Sequence, residues 1–175
     1  MLWWLGNGTA KAAIVEDVQK LLETNGCPVC ILNEASLQNA DLAHANLKIA
    51  VLTNANLAGA NLQEANLMLS DLEGANLAGA NLTQAQLNGA NLLKANLVGA
   101  DLTGAEMTQA NLEDANLENA NLANAILLSV TLGQANLKGA NLKGANLRGV
   151  NRSQALFCQT TMPDGSIENR DCPNS

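Results

Sequence analysis

A repeat of five residues fills most of this chain and constrains its fold more than any other feature. From residue 30 onward the sequence reads A-N-L-x-x, as in residues 55–59 (A-N-L-A-G). With the leucine position called i, 26 units follow one another without an insertion, from Cys30 at the first i−2 position to Ala155 at the last. Leu occupies position i in 23 units, and Ala occupies i−2 in 22. A period of five fits neither a helix nor a strand, so the repeat itself decides the fold.

Each unit predicts a short extended piece followed by a turn. Positions i−2 and i lie on the same side of an extended segment. Positions i+1 and i+2 hold Gly, Asn, Gln, Thr and charged residues, which are typical of turns. Ala and Leu then face inward, and successive units wind so that the leucines meet. Burying one Leu contributes roughly 1.5–3 kcal/mol, which a single unit could not achieve alone. The sequence predicts an all-β solenoid with a leucine-filled interior.

The repeat resembles the pentapeptide-repeat family over about three quarters of the chain. The resemblance implies a right-handed quadrilateral parallel β-helix with four units per coil, here about six and a half coils. Residues 27–30 (C-P-V-C) and 160–165 (T-T-M-P-D-G) also resemble the openings and endings of many cyanobacterial members. With 20 residues per coil, residues spaced 20 apart stack in a column along the rod. One such column contains all four residues that replace Ala at i−2, and another forms an asparagine ladder typical of stacked strands. The four replacements are Cys30, Ser70, Val130 and Val150, and the ladder is Asn56, Asn76, Asn96, Asn116 and Asn136.

Four segments follow from this pattern. They are a remnant of a signal segment or a flexible arm (1–9), an N-terminal capping α-helix (10–26), the β-helix (27–159) and a C-terminal tail (160–175). The helix is predicted from apolar residues at amphipathic spacing and from the stop signal Asn25-Gly26. The apolar residues are Ile14, Val15, Val18, Leu21 and Leu22. A solenoid needs such caps because each end leaves an open edge.

The four cysteines predict disulfides rather than a metal site. The pairs Cys27/Cys30 and Cys158/Cys172 lie at opposite ends of the predicted rod, too far apart to share one zinc ion. Cys158–Cys172 is the favoured disulfide because it would tie down the tail. Cys27–Cys30 has the spacing of a redox motif. We interpret the pair instead as structural, either with a buried thiol that caps the first coil or as a local disulfide.

Localisation follows from the cysteines and the first residues. Met1–Leu5 is apolar, and residues 10–12 (A-K-A) fit a signal cleavage site, although the apolar run is short and no basic residue precedes it. Either the chain begins within a secretory signal, or Trp3 and Trp4 pack on the cap. Export would place the protein in the periplasm or, by family resemblance, in the thylakoid lumen; the alternative is the cytoplasm.

Composition argues against catalysis, cofactors, metals and nucleic acid. The net charge is −7, which disfavours a general nucleic-acid binder, and no apolar run reaches the ~18 residues of a membrane span. His44 stands alone at an exposed i+2 position. Lys138, Lys143 and Arg148 form a thin basic band interpreted as a solvated girdle rather than a phosphate site. We expect no enzyme.

Apolar residues at outward positions suggest one contact surface. They gather near a single corner: Ile49, Val51, Met68, Leu69, Ile126 and Leu128. Such a patch is typical of a protein contact site, unless a relaxed repeat tolerates it or the N-terminal arm covers it. The sequence therefore favours a non-catalytic interaction or scaffold module with a protein partner. The alternative, carried by the family resemblance, is a DNA mimic that inhibits DNA gyrase, for which an acidic dimeric rod with more Phe at i is expected.

Overall fold

The computed structural model describes the backbone of residues 5–173 and the side chains of residues 14–173. Helix α1 spans Leu5–Thr24, so it begins five residues before the helical segment predicted at 10–26. Of the predicted signal remnant or arm, residues 1–4, with Trp3 and Trp4, lie outside the described residues. No helix in the described part of the chain is long and apolar enough to cross a membrane.

The predicted solenoid follows α1 directly. Parallel bridges join residues 20 apart in an unbroken series of 24, from Gly26 with Asn46 to Asn141 with Thr161. Every bridged residue occupies position i−1, and four units therefore complete one coil. A short antiparallel pair, β1 (Thr160–Thr161) and β2 (Ile167–Glu168), ends the described chain.

The corner between two units is a tight turn. In a typical unit, Ala60 N donates to Leu57 O at 3.0 Å, which closes a four-residue turn over positions i to i+3. The third residue of the turn has positive φ, as in Asn54 (56°) and Gly59 (66°). This is the backbone of a type II turn, which favours Gly or Asn at that position. The frequent Gly and Asn at i+2 are therefore a steric requirement of the corner.

The interior is packed solid by the leucines. The leucines at position i from Leu32 to Leu142 are at most 3% exposed, and Leu57 N donates to Asn76 O of the next coil at 2.7 Å. A gap of about 10 Å³ between the leucines of the later coils is lined by Leu and Phe side chains alone, so it offers no polar group to a ligand. Outside, Asn76 Nδ2 donates to Asn56 Oδ1 at 3.2 Å, and two further steps of that ladder repeat the bond. Functional groups of the described coils therefore face outward.

The N-terminal end is closed by α1. Leu21 is fully buried and Val18 packs against the core beside it. Asp17 accepts a hydrogen bond from Ile31 N at 2.8 Å, which satisfies an edge amide of the first coil. The predicted apolar face of the helix is wrong for Val15 and Leu22, which are 59% and 56% exposed. A helix lying on a flat coil end buries only the side chains directly beneath it, here the i, i+3 pair.

The C-terminal tail closes part of the other end. Cys158 and Cys172 form a disulfide with Cα atoms 4.8 Å apart. Asp171 accepts a hydrogen bond from Phe157 N at 2.9 Å, and the Arg170 guanidinium lies 5.2 Å from the Phe157 ring centre. Hydrogen bonds from the Arg170 side chain and the Phe157 amide hold the pKa of Asp171 below its usual range. The carboxylate thus replaces a carbonyl that a further coil would have supplied.

Candidate interaction surface

Exposed apolar side chains gather along one corner of the solenoid. Val29, Ile31, Ile49 and Leu69 are 66%, 50%, 45% and 56% exposed. The half-buried side chains of two neighbours, Val51 and Met68, extend the same strip. We call these six residues the apolar corner. Large apolar groups in contact with water at one place are typical of a binding surface.

The corner is continuous because its residues stack from coil to coil. Val29, Ile49 and Leu69 occupy position i+2 in three successive coils, and strands of adjacent coils lie about 4.8 Å apart. Beside them, Ile31 is bridged to Val51, and Val51 to Asp71. The apolar strip therefore runs along the axis over three coils and ends at a charge.

Backbone conformation sets these residues apart from the rest of the solenoid. Val29, Ile49 and Leu69 have φ of 65°, 59° and 57°. A side chain in the left-handed region costs about 1–2 kcal/mol, and β-branched residues are rarely found there. Elsewhere in the described chain, the non-glycine residues with positive φ are Asn, Asp, Gln, Glu, His, Lys or Ser. Three unfavourable choices in one column, all exposed, gain little for folding and point to an outward contact.

A groove continues from the apolar corner along the neighbouring side. It encloses about 410 Å³ and is bordered by Met68, Leu69, Asn88, Gly89, Glu106, Thr108, Gln109 and Ile126. We call it the side groove. Gly89, at φ 68°, forms its floor, where a Cβ atom would lie 2.7 Å from Leu69 Cδ2. Asn88 Nδ2 donates to Glu106 Oε2 at 3.1 Å, and Thr108 N donates to Asn88 Oδ1 at 2.9 Å. An apolar wall thus faces an ordered polar centre.

Of the six residues singled out in the sequence, Ile49, Val51, Met68 and Leu69 lie on the apolar corner. Met68 and Leu69 also border the side groove, together with Ile126. Leu128 is half-buried and does not border the side groove. Sequence reasoning missed Val29 and Ile31. Their signal was present, because they stand 20 residues before Ile49 and Val51 in the same columns.

Comparison with known proteins identifies the repeat. The family profile of pentapeptide repeats, in 8 copies, matches residues 30–68, 65–104, 105–144 and 125–162, well over half of the chain. The chain belongs to the pentapeptide-repeat family. Its solved relatives are right-handed β-helices, the solenoid class expected from the sequence. Comparison with curated protein sequences gives no significant match.

Three solved structures illustrate the similarity. HetL, a pentapeptide repeat protein involved in heterocyst differentiation regulation from the cyanobacterium Nostoc sp. strain PCC 7120, is 34% identical, with a TM-score of 0.55 over 82% of this chain and 74% of HetL. QnrB1, a plasmid-mediated fluoroquinolone resistance protein, is 18% identical, with a TM-score of 0.53 over 78% and 72%, which shows the fold alone. A pentapeptide repeat protein from the Arabidopsis thaliana thylakoid lumen is 31% identical, with a TM-score of 0.33 over 55% and 71%.

The cysteines of this pentapeptide-repeat protein sit at both ends of the rod. Cys27 and Cys30 are buried and paired as a disulfide, with Cα atoms 5.4 Å apart. The Asp17 carboxylate lies within 4.8 Å of both sulfurs, a grouping that could resemble a metal site. Metal ligation needs thiolates, which a disulfide does not supply, and Asp17 is already hydrogen-bonded to Ile31 N. The group is structural.

Other predicted polar positions remain on the surface of the pentapeptide-repeat protein. His44 has an exposed side chain, and its Nδ1 lies 3.4 Å from Glu64 Oε2. Within the basic band, Lys138 lies 3.9 Å from Glu118, whereas Lys143 and Arg148 form no ion pair with any described residue. Exposed ion pairs of this kind contribute little stability.

Proposed function

We propose that this pentapeptide-repeat protein is a non-catalytic binding module whose apolar corner and side groove receive a protein partner. The observation that supports the proposal is the column of Val29, Ile49 and Leu69, where exposed apolar side chains occupy left-handed backbone. Folding gains little from these residues that Asn or Gly would not provide equally well. The solenoid serves as a rigid scaffold that holds this surface in place.

A protein is the partner that fits the chemistry best. The centre of a protein interface combines apolar area with a few directed hydrogen-bonding groups. Here Leu69 and Ile126 flank the side groove, and Asn88 and Glu106 present amide and carboxylate groups between them. A polyanionic ligand is disfavoured because Glu106 is the charged residue among those that border the groove.

A regulatory role is the finer part of the proposal. HetL, at 34% identity, is described as involved in heterocyst differentiation regulation. A rigid module that binds one protein partner without transforming it suits regulation by occupancy. For this chain, we infer that binding at the apolar corner and side groove is the activity itself.

The distribution of charge gives less support to the alternative of a DNA mimic. Residues 119–163 contain Lys138, Lys143, Arg148 and Arg152 and no acidic residue. A surface that imitates DNA needs continuous negative charge, which this stretch interrupts. Inhibition of DNA supercoiling by gyrase at low micromolar protein would favour the mimic over the binding module.

Export to an oxidising compartment, the periplasm or the thylakoid lumen, completes the proposal. Two cysteine pairs joined as disulfides support it, because such bonds persist mainly outside reducing compartments. The check is alkylation of protein taken directly from cells, followed by mass spectrometry. Fully alkylated cysteines would place the protein in a reducing compartment instead.

The experiment for the proposed function compares two double variants as affinity bait. Ile49→Asp with Leu69→Asp removes the apolar strip, and Asp is tolerated at positive φ. Asn54→Asp with Gln84→Asp adds the same charge at exposed i+2 positions with φ of 56° on other corners. We expect the first variant to lose a captured protein that the wild type and the control retain. Identical captured proteins for both variants, with unchanged circular dichroism, would contradict the proposal.

A further inference from the structure

The C-terminal end of the solenoid is closed on only two of its four sides. Leu142 N donates to Thr161 O at 2.7 Å, and Phe157 N donates to the Asp171 carboxylate, so these two sides are covered. The chain then turns back on itself, because Met162 N donates to Ser166 O at 2.8 Å. The remaining two sides, residues 145–154, have no described coil above them. We call this segment the open edge.

The open edge presents a row of unpaired amides. Where a further coil is present, the amides at positions i and i+2 donate to it: Leu137 N donates to Leu156 O at 3.0 Å, and Gly139 N donates to Cys158 O at 2.8 Å. The equivalent amides of the open edge have no acceptor in the part of the chain that the structure describes. They belong to Leu147, Gly149, Arg152 and Gln154. Such a row is a template for an added strand, whose carbonyls would accept these hydrogen bonds.

Charge at this end is opposite to that of the rod. Residues 1–118 contain 13 acidic and 4 basic residues, whereas residues 119–175 contain 5 basic and 3 acidic residues, the three acidic ones all in the tail after residue 163. Arg148 and Arg152 are exposed and form no ion pair with any described residue. Arg152 also occupies position i, where 23 other units place Leu. A strand added here would be favoured by acidic side chains.

A recess beside the open edge offers room for one side chain of a bound segment. It encloses about 330 Å³ and is bordered by Val150, Asn151, Arg152, Ser153, Phe157, Met162, Glu168 and Arg170. Arg170 is already engaged, because its guanidinium donates to Ala155 O and pairs with Asp171 at 3.0 Å. Glu168 borders the same recess, and its negative charge repels a carboxylate on that side. Acidic groups would therefore be directed to the Arg148 and Arg152 side.

We propose that the open edge binds an extended acidic segment of about ten residues from a partner protein, which adds two further units to the solenoid. Its backbone carbonyls accept from the four unpaired amides, its carboxylates pair with Arg148 and Arg152, and one of its side chains enters the recess. Nucleic acid fits less well, because single strands bind by stacking on exposed aromatic rings and Phe157 is 2% exposed. This site lies apart from the apolar corner and does not depend on it.

The first test is fluorescence anisotropy with the labelled peptide acetyl-AELEGAELEG-amide at low ionic strength. We expect saturable binding that Arg148→Glu with Arg152→Glu weakens by at least about tenfold. The matched control is Lys48→Glu with Lys94→Glu, which reverses the same number of exposed charges away from the open edge; Lys48 is in the same column as Arg148, five coils away. It should change affinity by less than about twofold. Equal weakening by both variants would overturn the proposal.

The second test separates strand addition from general charge attraction. Hydrogen exchange measured by NMR should show that the amides of Leu147, Gly149, Arg152 and Gln154 become protected when the peptide binds. Unprotected amides in the saturated complex would overturn the proposal. So would equal binding of the lysine peptide acetyl-AKLKGAKLKG-amide, or displacement of the acidic peptide by a ten-nucleotide DNA. The variant Ile49→Asp with Leu69→Asp should bind the peptide normally, which distinguishes this site from the proposed function.

Discussion

The left-handed backbone of the apolar corner can be tested by a matched pair of substitutions. Ile49 and Ile126 are 45% and 38% exposed, so Ile→Gly removes a similar amount of buried apolar surface at the two positions. Full burial of an isoleucine is worth about 1.5–3 kcal/mol, so somewhat more than half burial corresponds to about 1–2 kcal/mol lost in each variant. The change in the unfolded chain is the same for both.

The two positions differ in backbone conformation. Ile49 has φ of 59°, where Gly is free of the steric clash that a β-branched side chain meets, and relief of that clash returns about 1–2 kcal/mol. Ile126 is a bridge residue paired with Asn146 and gains no such relief. We therefore expect Ile126→Gly to be the less stable variant by about 1–2 kcal/mol, with Ile49→Gly close to the wild type.

Urea denaturation followed by circular dichroism measures the difference, provided that both variants retain the wild-type slope. Equal destabilisation of the two variants would refute the reasoning, because the left-handed conformation of Ile49 would then carry no energetic penalty. The apolar corner would lose its main support as a surface retained for contact.

Three further predictions concern the scaffold. Leu97→Ala should destabilise the protein by about 2–5 kcal/mol in urea denaturation, because Leu97 is fully buried. The control Val98→Ala, at a half-buried outward position, should cost less than about 1.5 kcal/mol. Similar values for the two variants would contradict a packed interior. Cys158→Ser with Cys172→Ser should lower stability by about 3 kcal/mol by the same measurement, as expected for a loop with 14 residues of separation, and no loss would show that the tail is held without the bond. Because the pKa of Asp171 is lowered in the folded protein, its contribution is present above about pH 4 and is lost as the pH falls through the depressed pKa. The Phe157 amide resonance should report that titration by NMR and should lose it in Asp171→Asn, and a pH-independent wild-type signal would refute the assignment.

The repeat made most of the solenoid predictable. Ala at i−2 and Leu at i determine which side chains face inward, and the i+1 and i+2 residues determine where the chain turns. The sequence was less informative about which side chains of α1 are buried. Val15 and Leu22 have the helical spacing of the buried face, but they lie beyond the narrow end of the coil and are exposed. Amphipathic spacing shows which residues share a face of the helix, but not how wide the surface beneath it is.

The candidate site was predictable only in part. Column arithmetic pointed to Ile49 and Leu69, and the same arithmetic applied 20 residues earlier would have added Val29 and Ile31. The side groove could not be derived in this way, because its depth depends on Gly89 lying under the Leu69 side chain. The open edge was hidden for a similar reason. Its unpaired amides depend on where the tail folds back, which the repeat does not encode.

Photo-crosslinking at the apolar corner tests the central claim most directly. A photoreactive phenylalanine derivative at Leu69 would report what contacts this surface in cells of the source organism. The same group at Gln84, an exposed i+2 position with φ of 56° on another corner, is the control. We predict one discrete protein adduct at position 69 that is absent at position 84. The same adducts at both positions, or an adduct at 84 alone, would contradict the claim that this corner is the working surface of the rod.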